Sequence, residues 1–134
     1  MPDRDLLDAK IESLQRCVDR IVTHTPKDVA ELLINHDTQD IIAVNLQRAI
    51  QILVDLSGHL IADRGWETPL TMGQSFAILA DNNVLDDPLA QRLARSVGFR
   101  NISVHEYEKI DWRRVYEIVT TRMDDLRSAA AAIA

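Results

Sequence analysis

Apolar residues at Leu7, Ile11, Leu14, Val18 and Ile21 advance by four, three, four and three positions, placing them on one stripe of a helix over about residues 4–23. Asp8, Glu12, Arg16 and Asp19 fall off that stripe. Thr25 before Pro26, with Asp28 three residues on, predicts a cap-and-proline start for a short helix through Val29, Leu32 and Leu33. Asn35-His36-Asp37 then reads as a break. From Thr38 to Arg64 a second stripe runs through Ile42, Leu46, Ala49, Leu53, Leu56 and Leu60, and Ile50, Val54 and Ile61 widen it. So wide an apolar arc predicts packing against both the rest of the bundle and a second subunit.

Gly65 is placed to end that helix, and Trp66-Glu67-Thr68-Pro69 reads as a turn. A short helix is expected after Thr71, carrying Phe76, Leu79 and Ala80 inward as far as Asp81-Asn82-Asn83. Asp87 before Pro88 signals another start, with Leu89, Leu93 and Val97 on one face and Gly98 as a break. Phe99 to Tyr107 holds no Gly or Pro and is compatible with helix. Asp111 can cap a last helix whose stripe is Val115, Ile118, Val119, the stem of Arg122, Met123 and Leu126. The alanines from Ala129 onward extend it and are expected to fray over about residues 129–134, since Ala favours helix but supplies little packing. No internal repeat or flexible linker is evident.

Composition agrees with this pattern: in 134 residues there are 4 Gly, 4 Pro and 4% aromatic side chains, which favours helix over sheet. The expected fold is all-α, an up-down bundle of four to five main helices with short ones between, forming a single domain over residues 1–134. A chain of this size buries roughly two-thirds of its unfolded surface and can build a core unaided. Cys17 is the only cysteine, which excludes an intramolecular disulfide and a cysteine-only zinc site and suits a reducing, cytoplasmic setting. The acidic start and the lack of any uninterrupted apolar run near ~18 residues predict neither a signal peptide nor a membrane span.

The formal net charge of −6 argues against bulk electrostatic coating of nucleic acid. Its distribution is uneven. Between Gln91 and Arg114 six basic residues (Arg92, Arg95, Arg100, Lys109, Arg113, Arg114) face three acids (Glu106, Glu108, Asp111), a net +3, which leaves −9 for the remainder. A phosphate could be received locally by an otherwise repelling molecule.

Candidate chemistry concentrates in Gly98-Phe99-Arg100-Asn101-Ile102-Ser103-Val104-His105-Glu106-Tyr107. Arg100 offers a permanent fork of donors suited to phosphate, His105 can exchange a proton near neutral pH, and Tyr107 supplies a hydroxyl. On a helix Asn101 and His105 share a face, so the amide is expected to orient the imidazole. Arg100 and His105, five apart, would diverge by about 140° at 100° per residue, which predicts a site completed at a dimer interface. Arg95, Arg113 and Arg114 are candidates for further phosphate contacts, although Arg113 and Arg114 equally fit a solvated helix start. An Arg, a His and a Tyr this close also occur on ordinary surface helices.

Other residues have plainer expectations. His59 at the edge of the apolar arc reads as a packing or interface residue, and His24 and His36, placed in loops, lack carboxylates at zinc-site spacing. Cys17 reads as a small core residue, Asp86-Asp87 as a helix start and not a cation site, and Trp66 and Trp112 as packing. No metal and no cofactor is expected.

Beyond these properties the segment resembles a known family. Arg100-x4-His105-x-Tyr107 is similar to the R-x4–6-H-x-Y signature of HepT-like toxins of the HEPN superfamily. The flanks resemble that family as well: Asn45-Leu46-Gln47-Arg48-Ala49-Ile50, Pro69-Leu70-Thr71-Met72, Val97-Gly98-Phe99-Arg100-Asn101 and Ile110-Asp111-Trp112-Arg113-Arg114-Val115-Tyr116. The likeness spans roughly residues 4–128. It implies a dimeric all-α HEPN bundle acting as a metal-independent endoribonuclease on RNA, tRNA being one candidate, and neutralised by an MntA-like minimal nucleotidyltransferase antitoxin. It further implies Arg100 and His105 as the ribonuclease residues and Tyr107 as the hydroxyl that receives AMP. The competing expectation is a non-catalytic helical partner of a nucleotidyltransferase, which has no need of the Arg100/His105 pair.

Overall fold

A computed structural model of the chain describes residues 4–134 as seven α-helices and one 3-10 turn, with no strand among them: α1 (Arg4–His24), α2 (Val29–Ile34), α3 (His36–Arg64), α4 (Met72–Asp81), α5 (Asp87–His105), the turn Tyr107–Lys109, α6 (Trp112–Thr121) and α7 (Met123–Ile133). Most boundaries follow from cap chemistry. Asn35 accepts from the Thr38 N–H, Thr71 from Gln74, Asp86 from Leu89, and Asp111 from Arg113 and Arg114, each satisfying donors that a helix start leaves open. Gly65 ends α3 at φ 68°, a left-handed conformation that a side chain would strain.

Several expected boundaries move. The cap of α2 is Asp28, which accepts from Glu31, and not Thr25. Thr25 precedes a proline, which disfavours helix there, and its hydroxyl donates back to the Ile21 carbonyl at 2.7 Å to close α1. Asp86 and not Asp87 caps α5. The break at residues 35–37 shrinks to Asn35 alone, so His24 and His36, expected in loops, end α1 and open α3.

Gly98 does not interrupt α5. A lone interior Gly costs about 1 kcal/mol relative to Ala, and the burial of Leu89, Leu93 and Val97 along the same helix outweighs it. The expected last helix is two. Thr120 and Thr121 turn their hydroxyls onto the carbonyls of Tyr116 and Glu117, a local bonding that competes with the helix ladder, and α6 stops before Arg122. The change of direction there sends α7 inward. The end of α7 is helical and docked, not frayed: Ala129 is fully buried, with Ala130 and Ile133 also inside, while Ala131 and Ala132 face outward.

At the centre lies α3, with α1 along one side and α4, α5 and α7 along others. Ile42, Leu46, Ala49, Leu53 and Leu56 are buried, and so are Ile50 and Ile61 of the widened arc. Most of the width expected to meet a second subunit is used within the chain, while Val54 and Leu60 of the same arc stay partly exposed. α3 is long and apolar enough by composition to cross a bilayer, yet these side chains face the other helices. Arg92 on α5 makes a two-pronged bond to Asp125 on α7, at 2.8 and 3.0 Å, that ties the outer helices together.

Candidate active site

The last two turns of α5 carry the candidate chemistry, and α3 holds them in place. Ser103, buried in the middle of the Arg100-to-His105 stretch, donates its hydroxyl to Gln47 Oε1 on α3 at 3.0 Å. Together with the burial of Leu93 and Val97 on the same helix, that bond sets which side of α5 faces α3. Arg100, about 60° around from Ser103, is consequently half-buried and turned toward the body of the protein. Its Nε is buried without a hydrogen-bond partner, and its Nη1 donates to Asn101 Oδ1 at 3.2 Å. Asn101 therefore partners Arg100 and not His105, contrary to the expected orienting role, because its acceptor oxygen is the nearest available to the guanidinium.

His105 is the final residue of α5 and is exposed, and its ring makes no hydrogen bond among the described residues. The helix is unbroken from Asp87 to His105, so the expected divergence of Arg100 and His105 stands within one chain. The backbone then tightens. Glu106 N–H closes α5 on the Ile102 carbonyl at 2.8 Å, and Ile110 N–H closes the 3-10 turn on Tyr107 at 3.2 Å.

Tyr107 is held by two contacts. Its ring meets Trp112 edge-on, with centroids 6.0 Å apart at 63°. Its hydroxyl donates to Asp40 Oδ1 at 2.5 Å, from the first turns of α3. Partial burial pushes the phenol's pKa above the ordinary tyrosine value, and the bond to Asp40 and its negative charge push the same way.

The remaining basic candidates are divided. Arg95 and Arg114 line a groove of about 640 Å³ between α5 and α6–α7, floored by Phe99, Ile102, Ile110 and Val115. Arg113 is exposed at the start of α6 and lies outside that groove, as do Arg100, His105 and Tyr107. Arg92 is committed to Asp125. The basic segment is thus two surfaces, one an Arg-rimmed apolar groove and the other the end of α5.

Sequence reasoning missed Asp40, Gln47 and Ser103. The only signal for the first two is weak: they lie seven apart and so share one stripe of α3, among many other polar residues of that helix. The expectations of packing roles for Cys17, Trp66, Trp112 and His59 agree with their positions. Cys17 is buried, which raises its thiol pKa, and Trp66 and Trp112 pack against the core. His59 is partly buried on α3.

Chemically, the end of α5 offers a half-buried permanent cation with an unmatched donor, a solvent-facing imidazole, and a phenol on a carboxylate. The family model described as ribonuclease HepT-like matches residues 14–133. The chain is 31% identical over 121 residues to the mRNA nuclease HepT of Shewanella oneidensis, covering 90% of each chain. It is 25% identical over 115 residues to the tRNA nuclease HepT of Aphanizomenon flos-aquae, covering 86% of this chain and 78% of that one. The solved structure of the tri-AMPylated Shewanella oneidensis HEPN toxin in complex with its MNT antitoxin superimposes with a TM-score of 0.90 at 29% identity, over 98% of both chains. With its all-helical fold and the Arg100, His105 and Tyr107 signature at the end of α5, the chain belongs to the HepT-like ribonuclease family.

Proposed function

We propose that this chain is a toxin that cleaves RNA without a metal ion, Arg100 holding the scissile phosphate and His105 moving a proton as the ribose 2′-OH attacks. The 2′-OH is an internal nucleophile, so the reaction requires RNA and no metal-activated water. Arg100 is the observation that carries the reading. Its Nε is buried without a partner and no carboxylate pairs with it among the described residues. A buried unmatched donor on a cation is unfavourable, and a phosphate presenting two oxygens to the guanidinium relieves it.

Arg100 and His105 project about 140° apart on one uninterrupted helix, so a second copy completing the cleft is part of the proposal. Ile102 and Val104 beside them are exposed apolar side chains, at 36% and 42%, suited to such a contact. Asn101 would steady Arg100, while Arg95 and Arg114 on their separate groove, and Arg113 at the start of α6, would meet phosphates of the RNA away from the scissile one. Two relatives act on different RNAs by name, mRNA and tRNA, so the substrate is proposed as RNA, with tRNA one member of the class.

Control is proposed to follow the Shewanella pair: an MntA-like nucleotidyltransferase transfers AMP to Tyr107, and the added phosphate occupies Arg100 and blocks RNA by bulk and charge. The setting is the cytoplasm, where RNA and ATP are both present.

The experiment is cleavage of RNA by purified protein in EDTA, with product ends identified by mass. Cleavage leaving a 2′,3′-cyclic phosphate or the derived 3′-phosphate is expected. Loss of activity in EDTA overturns the mechanism, and cleavage left unimpaired by both Arg100→Ala and His105→Ala does not arise from this site and leaves the non-catalytic partner as the better reading.

A further inference from the structure

AMP transfer to Tyr107, on which this inference rests, requires the phenol to lose its proton as its oxygen bonds phosphorus. A neutral phenol is a weak nucleophile and needs an adjacent base. One carboxylate of this chain is in contact with that proton. Asp40 Oδ1 accepts it at 2.5 Å, and Asp40 has no other hydrogen bond or ion pair among the described residues. It is exposed, so a proton taken from Tyr107 can pass on to water.

We propose that Asp40 is the general base for the modification of Tyr107. The phenolic oxygen attacks the α-phosphorus of ATP, the oxygen–phosphorus bond forms as the phenol proton moves to the Asp40 carboxylate, and the bond from the α-phosphorus to the oxygen bridging to the β-phosphate breaks. Pyrophosphate leaves with that electron pair. The Mg²⁺ that steadies it is bound by the nucleotidyltransferase.

Two further observations support the assignment. Burial and Asp40 both raise the phenol pKa, so phenolate is scarce near neutral pH and the proton must leave during bond formation, the situation in which a positioned base accelerates. Tyr116, the other tyrosine, donates its hydroxyl to the Pro26 carbonyl at 3.0 Å. A carbonyl cannot take the proton, so of the two tyrosines only Tyr107 is paired with a base.

The test is adenylylation of the full chain by the cognate nucleotidyltransferase with ATP and Mg²⁺, followed by intact mass and peptide mapping at several concentrations of the acceptor chain. Asp40→Asn keeps an acceptor oxygen for the hydroxyl but cannot take its proton. It is expected to lower kcat of transfer by about 10²-fold or more with KM for the acceptor chain unchanged. Asp40→Glu should recover part of the rate, and added formate should partly restore Asp40→Ala. A parental rate in Asp40→Asn, or a change confined to KM, overturns the assignment and reduces Asp40 to a tether. An unsubstituted chain that carries AMP elsewhere than Tyr107 overturns the acceptor reading itself and Asp40 with it.

Discussion

Ser103 on α5 and Gln47 on α3, 56 positions apart in sequence, are joined by a 3.0 Å hydrogen bond that sets the angle at which α5 presents Arg100 and His105. Ser103 is buried, so its hydroxyl has little access to water as a substitute partner. Ser103→Ala is expected to destabilise the fold by about 1 kcal/mol and to lower RNA cleavage several-fold by loosening α5. Urea unfolding of Ser103→Ala, Gln47→Ala and the double variant measures the coupling, and strict additivity would show that the bond contributes nothing.

Arg100→Ala and His105→Ala should each reduce RNA cleavage by roughly 10²-fold or more, one by removing charge stabilisation and the other the proton shuttle. Arg100→Lys should recover little, because a point charge does not replace a planar fork. His105 is exposed and Arg100 half-exposed, so circular dichroism should remain that of the parent.

A shared cleft has a distinct signature. If Arg100 of one copy works with His105 of another, mixing Arg100→Ala with His105→Ala regenerates one intact site per mixed dimer, and activity returns to a fraction of the parental value. A cleft within one chain gives no such recovery. Sedimentation should show a dimer of the 15.2 kDa chain, weakened by Ile102→Asp.

Gly98 lies inside α5, and a Cβ built there meets nothing within 4 Å. Gly98→Ala removes freedom from the unfolded chain without a clash. It should stabilise the protein by about 0.5–1 kcal/mol, read as a higher urea midpoint at unchanged slope.

Tyr107 carries an alkaline prediction. Its folded pKa is raised above the ordinary 10.0, so its contribution to stability is complete below pH 10 and is lost as pH rises toward the folded value. Unfolding followed from pH 9 to pH 11.5 should show the parent losing more stability than Tyr107→Phe. Difference absorbance at 295 nm should place Tyr107 ionisation above 10, and Asp40→Asn should lower it only in part because burial is the larger cause.

The sequence alone determined most of the helices, the caps at two of them and the signature at the end of α5, because these depend on neighbours three or four residues away. The stripe on α1, the caps at Thr71 and Asp111 and the stop at Gly65 were all legible for that reason. Where local signals competed, the tertiary structure decided. Gly98 stayed helical because the packing of α5 outweighs one glycine, and α7 turned inward at Arg122 to bury Met123, Leu126, Ala129 and Ala130. The same holds for the width of the α3 arc, which periodicity reports without saying what covers it. The site divides along this line. Arg100, His105 and Tyr107 lie within eight residues of one another, whereas Gln47 reaches Ser103 across 56 positions and Asp40 reaches Tyr107 across 67. The basic segment read as a net +3 thereby acquires a carboxylate from the acidic remainder of the chain, against the hydroxyl of Tyr107. Only the docking of α5 on α3 makes that meeting, since it depends on how two helices pack and not on any spacing along one of them.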